Sequence, residues 1–158
     1  MRLAILIAGL CVAGVVSAAE PAHKPPYWAS ISAGQARMRT GPDRAYPATW
    51  LYRRADLPVR VVAVFKQWRK VEDPDGTQGW MQANLLSATR TAIVRGMEPV
   101  PLRASPAAAA PLRFRAAPGV VGRVSHCGDG WCALDVKGRG GFIEQGALWG
   151  TDAGETLP

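Results

Sequence analysis

The sequence repeats itself once, and this repeat restricts the possible folds more than any other feature. The segment Ala36–Pro42 recurs loosely as Val100–Pro106, at an offset of 64 residues. Two further matches follow in the same order, at offsets of 63 and then 62: Trp68–Val71 with Trp131–Leu134, and Gly79–Gln82 with Gly141–Glu144. A period of about 60 residues exceeds that of most solenoid repeats, so each copy is predicted to be a small domain.

Both copies have the pattern of β-structure. In the first, Leu57–Phe65 is a short run rich in β-branched residues, and Trp68–Glu72 is a second predicted strand. Asp73–Gly76 has the composition of a turn before a return strand at Gly79. Residues 120–124, 131–136 and 142–143 give the same order in the second copy. The 17 Gly and 13 Pro residues interrupt the chain too often for long helices or a coiled coil.

We therefore predict an all-β protein of two tandem small barrels of about five strands each, because barrel closure buries strand edges. A strand within Ala88–Val94 is expected to close the first barrel or to join the two, and Arg39–Arg54 and Ala104–Ala110 are expected to be loops. The predicted segments are a signal peptide at 1–19, a flexible N-terminus at 20–28, the first barrel at 29–90, the second at 91–150 and a tail at 151–158.

The first residues are typical of a secretory signal peptide. Arg2 precedes an apolar run, Leu3–Val16, which ends in small residues and is shorter than the roughly 20 residues of a membrane-spanning helix. Cys11 invites a lipoprotein interpretation, but Leu10 stands where a small residue is needed and the apolar run continues beyond Cys11. We predict a periplasmic or secreted protein with no stable membrane insertion once the signal is removed.

Export leaves two cysteines in an oxidising compartment. Cys127 and Cys132 flank a Gly-Asp-Gly-Trp segment that reads as a tight turn, which favours a disulfide across a hairpin. The alternatives are a zinc site and a catalytic thiol. Zinc would need a fourth ligand beside these cysteines and His126, and His126 would point to the opposite face of a strand from Cys127.

These residues together resemble the bacterial SH3-like domain. The ordered set is Arg37–Pro42, Tyr46, a strand at Val59–Val64, Trp68 with Val71, and Gly79-Trp80 with Leu85. The whole chain resembles exported proteobacterial proteins with a tandem pair of such domains, whose second copy has a Cys-turn-Trp-Cys element and ends in Leu-Trp-Gly, here Leu148–Gly150. The resemblance implies two SH3-like barrels that bind proteins or cell-wall material.

Copy two departs from the pattern at two positions, with Ser105 in place of Gly41 and Phe142 in place of Trp80. We expect Trp80 and Phe142 to enter the barrel cores beside Val71 and Leu134, and Trp68 to fill the first barrel. The acidic residues with which eukaryotic SH3 domains hold basic proline-rich peptides have no counterpart in the basic loop Arg39–Arg54, so that specificity is not carried over.

Aromatic and basic residues of the first copy are the candidate ligand-binding residues. An aromatic groove could stack on sugars or pack on prolines, and a basic surface could attract anionic wall polymers or an acidic protein. The candidates are Tyr46, Trp50, Tyr52, Arg39 and Arg44. The alternative is that the aromatics cap the barrel and that the arginines of this copy are simply solvated: Arg37, Arg39, Arg44, Arg53, Arg54 and Arg60.

No catalytic, metal or cofactor site is expected. Asp73 and Asp75 flank a turn proline, Ser125-His126 near Asp129 lacks the separation that would converge a triad, and the glycines of Gly138–Gly141 lack the rest of a phosphate loop. Export argues against nucleic acid as a partner. We expect a non-enzymatic binding module of the cell envelope that recognises peptidoglycan or an envelope protein. The alternative is an accessory subunit that packs on a partner enzyme and has no ligand groove.

Overall fold

The computed structural model describes residues 23–158, which form two seven-stranded antiparallel sheets. The predicted signal peptide lies outside the described residues. The first sheet has the order β3-β2-β6-β5-β4-β1-β7. Its strands are β1 (Tyr27–Ile31), β2 (Ala36–Arg39), β3 (Ala48–Tyr52), β4 (Pro58–Phe65), β5 (Trp68–Glu72), β6 (Gln78–Gln82) and β7 (Leu86–Ser87).

The second sheet repeats this arrangement, with the order β10-β9-β13-β12-β11-β8-β14. Its strands are β8 (Thr91–Val94), β9 (Val100–Arg103), β10 (Leu112–Ala116), β11 (Val121–Gly128), β12 (Trp131–Val136), β13 (Arg139–Glu144) and β14 (Leu148–Trp149). A short 3₁₀ turn precedes the last strand of each sheet, at Ala83–Leu85 and Gln145–Ala147. Among residues 23–158 no helix is long and apolar enough to cross a membrane.

The all-β class and the tandem pair of SH3-like domains are confirmed, and each sheet has seven strands where about five were expected. Three details differ from the expectations. Strand β1 begins at Tyr27, inside the segment expected to be a flexible N-terminus. Strand β8 pairs with β11 and β14, so it belongs to the second sheet and does not close the first. The expected loop Arg39–Arg54 contains β3.

The expectation that Trp80 and Phe142 fill the cores is wrong. The neighbours Met81 and Ile143 are fully buried in the two cores, whereas Trp80 and Phe142 are only partly buried. Successive residues of a strand point to opposite faces, and the glycine before each aromatic already faces inward. The aromatic therefore lies on the outer face of its strand.

A glycine at the same position of the repeat, Gly79 in the first copy and Gly141 in the second, allows each barrel to close. A Cβ on Gly79 would overlap Met38 Cγ and lie 2.9 Å from the carbonyl oxygen of Arg39. A Cβ on Gly141 would lie 2.9 Å from Leu102 Cβ. Met38 and Leu102 are fully buried, and each fills the space that its glycine leaves open. This close approach lets β6 pair with β2 and β13 pair with β9.

The two barrels share a packed junction. Ile93 and Val121 of the second barrel pack against the core of the first. The rings of Trp28 and Trp149 meet edge to face at 4.8 Å between centroids. Polar contacts surround these apolar ones, including Arg54 Nη2 donating to the carbonyl oxygen of Gly119 at 2.8 Å. The second barrel therefore covers apolar surface that the first would otherwise expose.

The chain after β14 folds back onto the second barrel. Glu155 accepts two hydrogen bonds from the Arg90 guanidinium, at 2.8 and 2.9 Å, and a third from the Asp152 amide. The backbone of Leu157 pairs with that of Cys127. The hydrogen bond from Arg90 is the main reason why the pKa of Glu155 lies below its ordinary value of 4.5.

Replacing Gly79 by Ala is expected to lower the free energy of unfolding by about 2–3 kcal/mol, because the added methyl group displaces Met38 and the neighbouring backbone. Gly34→Ala is the matched control, since nothing lies within 4 Å of a Cβ at that glycine. Urea unfolding of both variants measures the difference. Equal stabilities of the two variants would contradict this account of barrel closure.

The Arg90–Glu155 pair is expected to make stability depend on acidity. A carboxyl group whose pKa is lowered by folding stabilises the protein above its unfolded pKa, and this stabilisation is lost as pH falls through the folded value. Glu155→Gln should therefore lower the free energy of unfolding by about 2 kcal/mol at neutral pH. Below about pH 4.5 this variant should lose less further stability than the parent protein does. Thermal unfolding across this range is the measurement.

Glu98→Gln serves as the control, because Glu98 is exposed and has no ion pair within residues 23–158. The two variants should differ at neutral pH and converge in acid. A constant difference at every pH would show that Glu155 contributes by packing and not by its charge.

Candidate functional site

The loop after β2 in the first barrel has the same backbone fold as its counterpart in the second. Arg39 Nη1 donates to the carbonyl oxygen of Tyr46 at 2.7 Å, and Arg103 Nη1 donates to that of Ala110 at 2.9 Å. In both copies the chain closes with a backbone bond, from Thr40 to Pro47 and from Ala104 to Pro111. Since both copies use this arginine in the same way, Arg39 holds the loop in place.

The side chains of the two loops differ as a matched pair. A Cβ on Gly41 would lie 2.6 Å from atoms of the Tyr46 ring, so the glycine makes room for that ring. The second copy has Ser105 at the position of Gly41 and Ala110 at the position of Tyr46. The serine is accommodated because the large ring is absent. The departure at Ser105 is therefore compensated, and the first copy alone presents an aromatic ring here.

A cleft of about 430 Å³ lies beside this loop, on the outer face of β2 and β3. Arg37 and Arg44 are exposed at its edge, and Trp68, which is only 3% exposed, is the most buried of the residues that line it. The residues that line it are Gln35, Arg37, Arg39, Arg44, Leu51, Trp68, Gln82 and Leu85. Guanidinium groups beside an apolar wall suit a ligand with carboxylate groups and an apolar part.

The structure separates the predicted ligand-binding residues into three groups. Arg39 and Arg44 line the cleft, and Tyr46 is joined to Arg39 at its border. Trp50 is 57% exposed but lies on β3 beside Leu51, and neighbouring strand residues point to opposite faces. Trp50 therefore lies away from the cleft. The sequence analysis counted Arg37 only as part of the general basic surface, and it missed Leu51 and Gln82, whose place in the cleft depends on how the strands pair.

Tyr52 has a structural role. Its hydroxyl donates a hydrogen bond to Asp73 Oδ2 at 2.7 Å, and its ring packs against the core of the first barrel. Burial, together with the Asp73 carboxylate, raises the pKa of Tyr52. Asp73 Oδ1 also accepts from the amides of Asp75 and Thr77, so this carboxylate organises the predicted turn.

Two arginines of the expected basic surface are used at the junction of the barrels. Arg54 contacts Gly119, and Arg60 lies over the Trp28 ring and 3.6 Å from Asp152 Oδ1. Arg37, Arg44 and Arg53 are exposed and have no ion pair within the described part of the chain. The basic surface is therefore concentrated near the cleft and β3.

The cysteines of the second barrel lie opposite each other in the β11–β12 hairpin, with their sulfur atoms at disulfide distance, 2.03 Å. Both are fully buried, whereas His126 is exposed, so the histidine faces away from them. Within residues 23–158 no three His, Cys, Asp or Glu side chains are grouped to hold a metal ion.

The model of the bacterial SH3 domain matches the chain twice, at residues 32–88 and 96–150. The protein belongs to the bacterial SH3 domain family. Domains of this family are generally non-catalytic binding modules. No curated protein sequence matches the chain significantly.

The solved structures that align with this bacterial SH3 protein include NlpC2 and NlpC1 from Trichomonas vaginalis. They are 13% and 12% identical to it, each with a TM-score of 0.36, over 81% and 87% of this chain. The alignments cover 49% and 50% of those chains, so this protein spans about half their length. Likeness at this level assigns it no activity.

The pairing of residues 41 and 46 can be tested by transplanting the second loop's residues into the first. Gly41→Ser alone should cost about 1 kcal/mol, because the new side chain displaces the Tyr46 ring. Adding Tyr46→Ala should recover most of that loss, since Ser105 and Ala110 coexist in the second copy. Urea unfolding of the two single variants and the double variant measures the coupling. Additive losses would refute it.

Proposed function

We propose that this protein is a non-enzymatic binding module of the cell envelope, periplasmic or secreted, whose first barrel recognises peptidoglycan or an envelope protein. The observation that supports this most directly is the cleft beside the loop after β2, where Arg37, Arg39 and Arg44 surround a partly apolar wall. Membership of the bacterial SH3 domain family supports a binding role. The signal-like N-terminus supports an envelope location.

The difference between the two copies supports the first barrel as the binding one. At the positions of Arg37, Arg44 and Leu51 the second copy has Pro101, Ala108 and Arg115. Two of the three cleft arginines are thus missing from the second barrel, and an arginine replaces the apolar residue of the wall. The second barrel instead contributes Ile93 and Val121 to the junction, where they pack on the first core.

Carboxylates are the groups that this cleft would hold best. An arginine binds a carboxylate through paired hydrogen bonds, and three arginines around one cleft favour a ligand with more than one negative charge. The peptide stems of peptidoglycan and the acidic side chains of an envelope protein both supply such groups. Attraction of this kind weakens as salt is added.

Co-sedimentation with purified, protein-free sacculi tests the wall-binding arm. We expect the protein to be retained at low salt, and the double variant Arg37→Ala, Arg44→Ala to lose about tenfold in affinity. Arg113→Ala is the control, since Arg113 is an exposed arginine of the second barrel. Absence of retention at low salt would rule out direct wall binding. Equal retention of the parent protein and the Arg37, Arg44 double variant would show that the wall-binding site lies outside the cleft.

A further inference from the structure

The edge strand β3 differs from its counterpart β10 in a way that bears on partner binding. Within residues 23–158, β3 pairs only with β2, and β10 pairs only with β9. Each strand thus has one side on which its backbone amides and carbonyls have no strand partner. Such an edge is a template for pairing with another chain, unless charged side chains or short length prevent it.

The edge of the second barrel is protected in this sense. Strand β10 carries Arg113 and Arg115, both exposed, and charged side chains on an edge oppose further pairing. Its aromatic residue, Phe114, packs on the core and lies under the Arg139 guanidinium at 4.7 Å. The opposite edges of both sheets, β7 and β14, are only two residues long.

The edge of the first barrel has none of this protection. Strand β3 contains no charged residue, and four of its five residues are exposed. Trp50 occupies the position of Phe114, opposite Met38 in the register as Phe114 is opposite Leu102. Within residues 23–158 no guanidinium lies over Trp50, and Thr77 stands at the position of Arg139. The ring is 57% exposed, and Leu51 is 38% exposed.

The charges around β3 indicate what can pair with it. Residues 36–54 contain five arginines and a single acidic residue, Asp43. Of these, Arg37, Arg44 and Arg53 are exposed and have no ion pair within the described residues. A second copy of the same edge would bring these arginines towards one another, which costs energy. An acidic strand would bring carboxylates to them.

We propose that β3 binds an extended acidic segment of a partner protein, which adds as a strand to the edge of the first barrel. The backbone of β3 supplies the hydrogen bonds, Trp50 and Leu51 supply apolar contacts on the two faces, and the arginines select carboxylates. The proposal rests on the function proposed above, and it names an acidic polypeptide as one class of partner. It uses Trp50, which lies away from the cleft.

Selection of random peptides of about ten residues, long enough to pair along all of β3, tests the proposal on the purified protein. We expect enriched peptides to alternate apolar residues with Asp or Glu and to lack a central proline. Trp50→Ala should weaken their binding about tenfold. Leu112→Ala is the matched control, because Leu112 is 50% exposed on β10, and this variant should bind like the parent protein.

Amide hydrogen exchange gives the decisive readout, since strand addition protects backbone amides and side-chain binding does not. The selected peptide should protect those amides of residues 48–52 that point away from β2, and it should leave the amides of residues 112–116 unchanged. The proposal is overturned if no peptides are enriched, or if the enriched peptides are proline-rich or basic. It is overturned equally if protection is confined to the amides of the loop at residues 40–47. It is also overturned by peptide-free dimers that protect β3.

The outcome of the sacculus experiment is independent of the outcome of the peptide and hydrogen-exchange experiments. Loss of sacculus binding in the Arg37, Arg44 double variant with retention in Trp50→Ala supports the cleft. Loss of peptide binding and of β3 protection in Trp50→Ala supports the edge. A protein that binds peptides at β3 but not sacculi would contradict wall recognition and leave strand addition established.

Discussion

Each barrel closes because a glycine on one strand leaves room for a core side chain on another. Gly79 admits Met38, and Gly141 admits Leu102, at positions that match between the two copies. With these glycines in place, the long hairpins β4–β5–β6 and β11–β12–β13 can curl back onto β2 and β9. The aromatic that follows each glycine is forced outward by strand alternation, so Trp80 and Phe142 help to form the outer surface of the barrels.

The two copies share this barrel and differ at pairs of contacting positions, where a change in one residue is matched by a change in its neighbour. Gly41 with Tyr46 in the first copy corresponds to Ser105 with Ala110 in the second, and the exposed Trp50 corresponds to the covered Phe114. The register that joins Val64 to Arg69 in the first copy joins the two buried cysteines in the second. The first barrel thereby keeps exposed aromatic and basic residues. In the second barrel the cysteines pair in the core, Arg139 covers Phe114, and the C-terminal segment folds back over Cys127.

The junction explains why two such small domains are stable together. Domains of this size bury little apolar surface alone, and here Ile93 and Val121 extend the first core. Arg54 and Arg60, which look like solvated charges in the sequence, instead bridge to the second barrel. Counting arginines in the sequence therefore gave a larger basic surface than the folded protein has. The three exposed arginines Arg37, Arg44 and Arg53 form the part that a ligand can reach.

The sequence by itself determined the duplication, the all-β class, the main hairpins and the place of the cysteine pair, because these depend on local spacing, turn chemistry and strand alternation. It missed β3, a five-residue strand inside the arginine-rich segment Arg39–Arg54 that was expected to be a loop. Only the tertiary structure decided that Tyr52 faces Asp73, that Trp80 faces outward and that Trp50 is separated from the cleft. These outcomes depend on which strands pair and on which glycines permit close approach, and such long-range contacts leave no periodic signal in the chain.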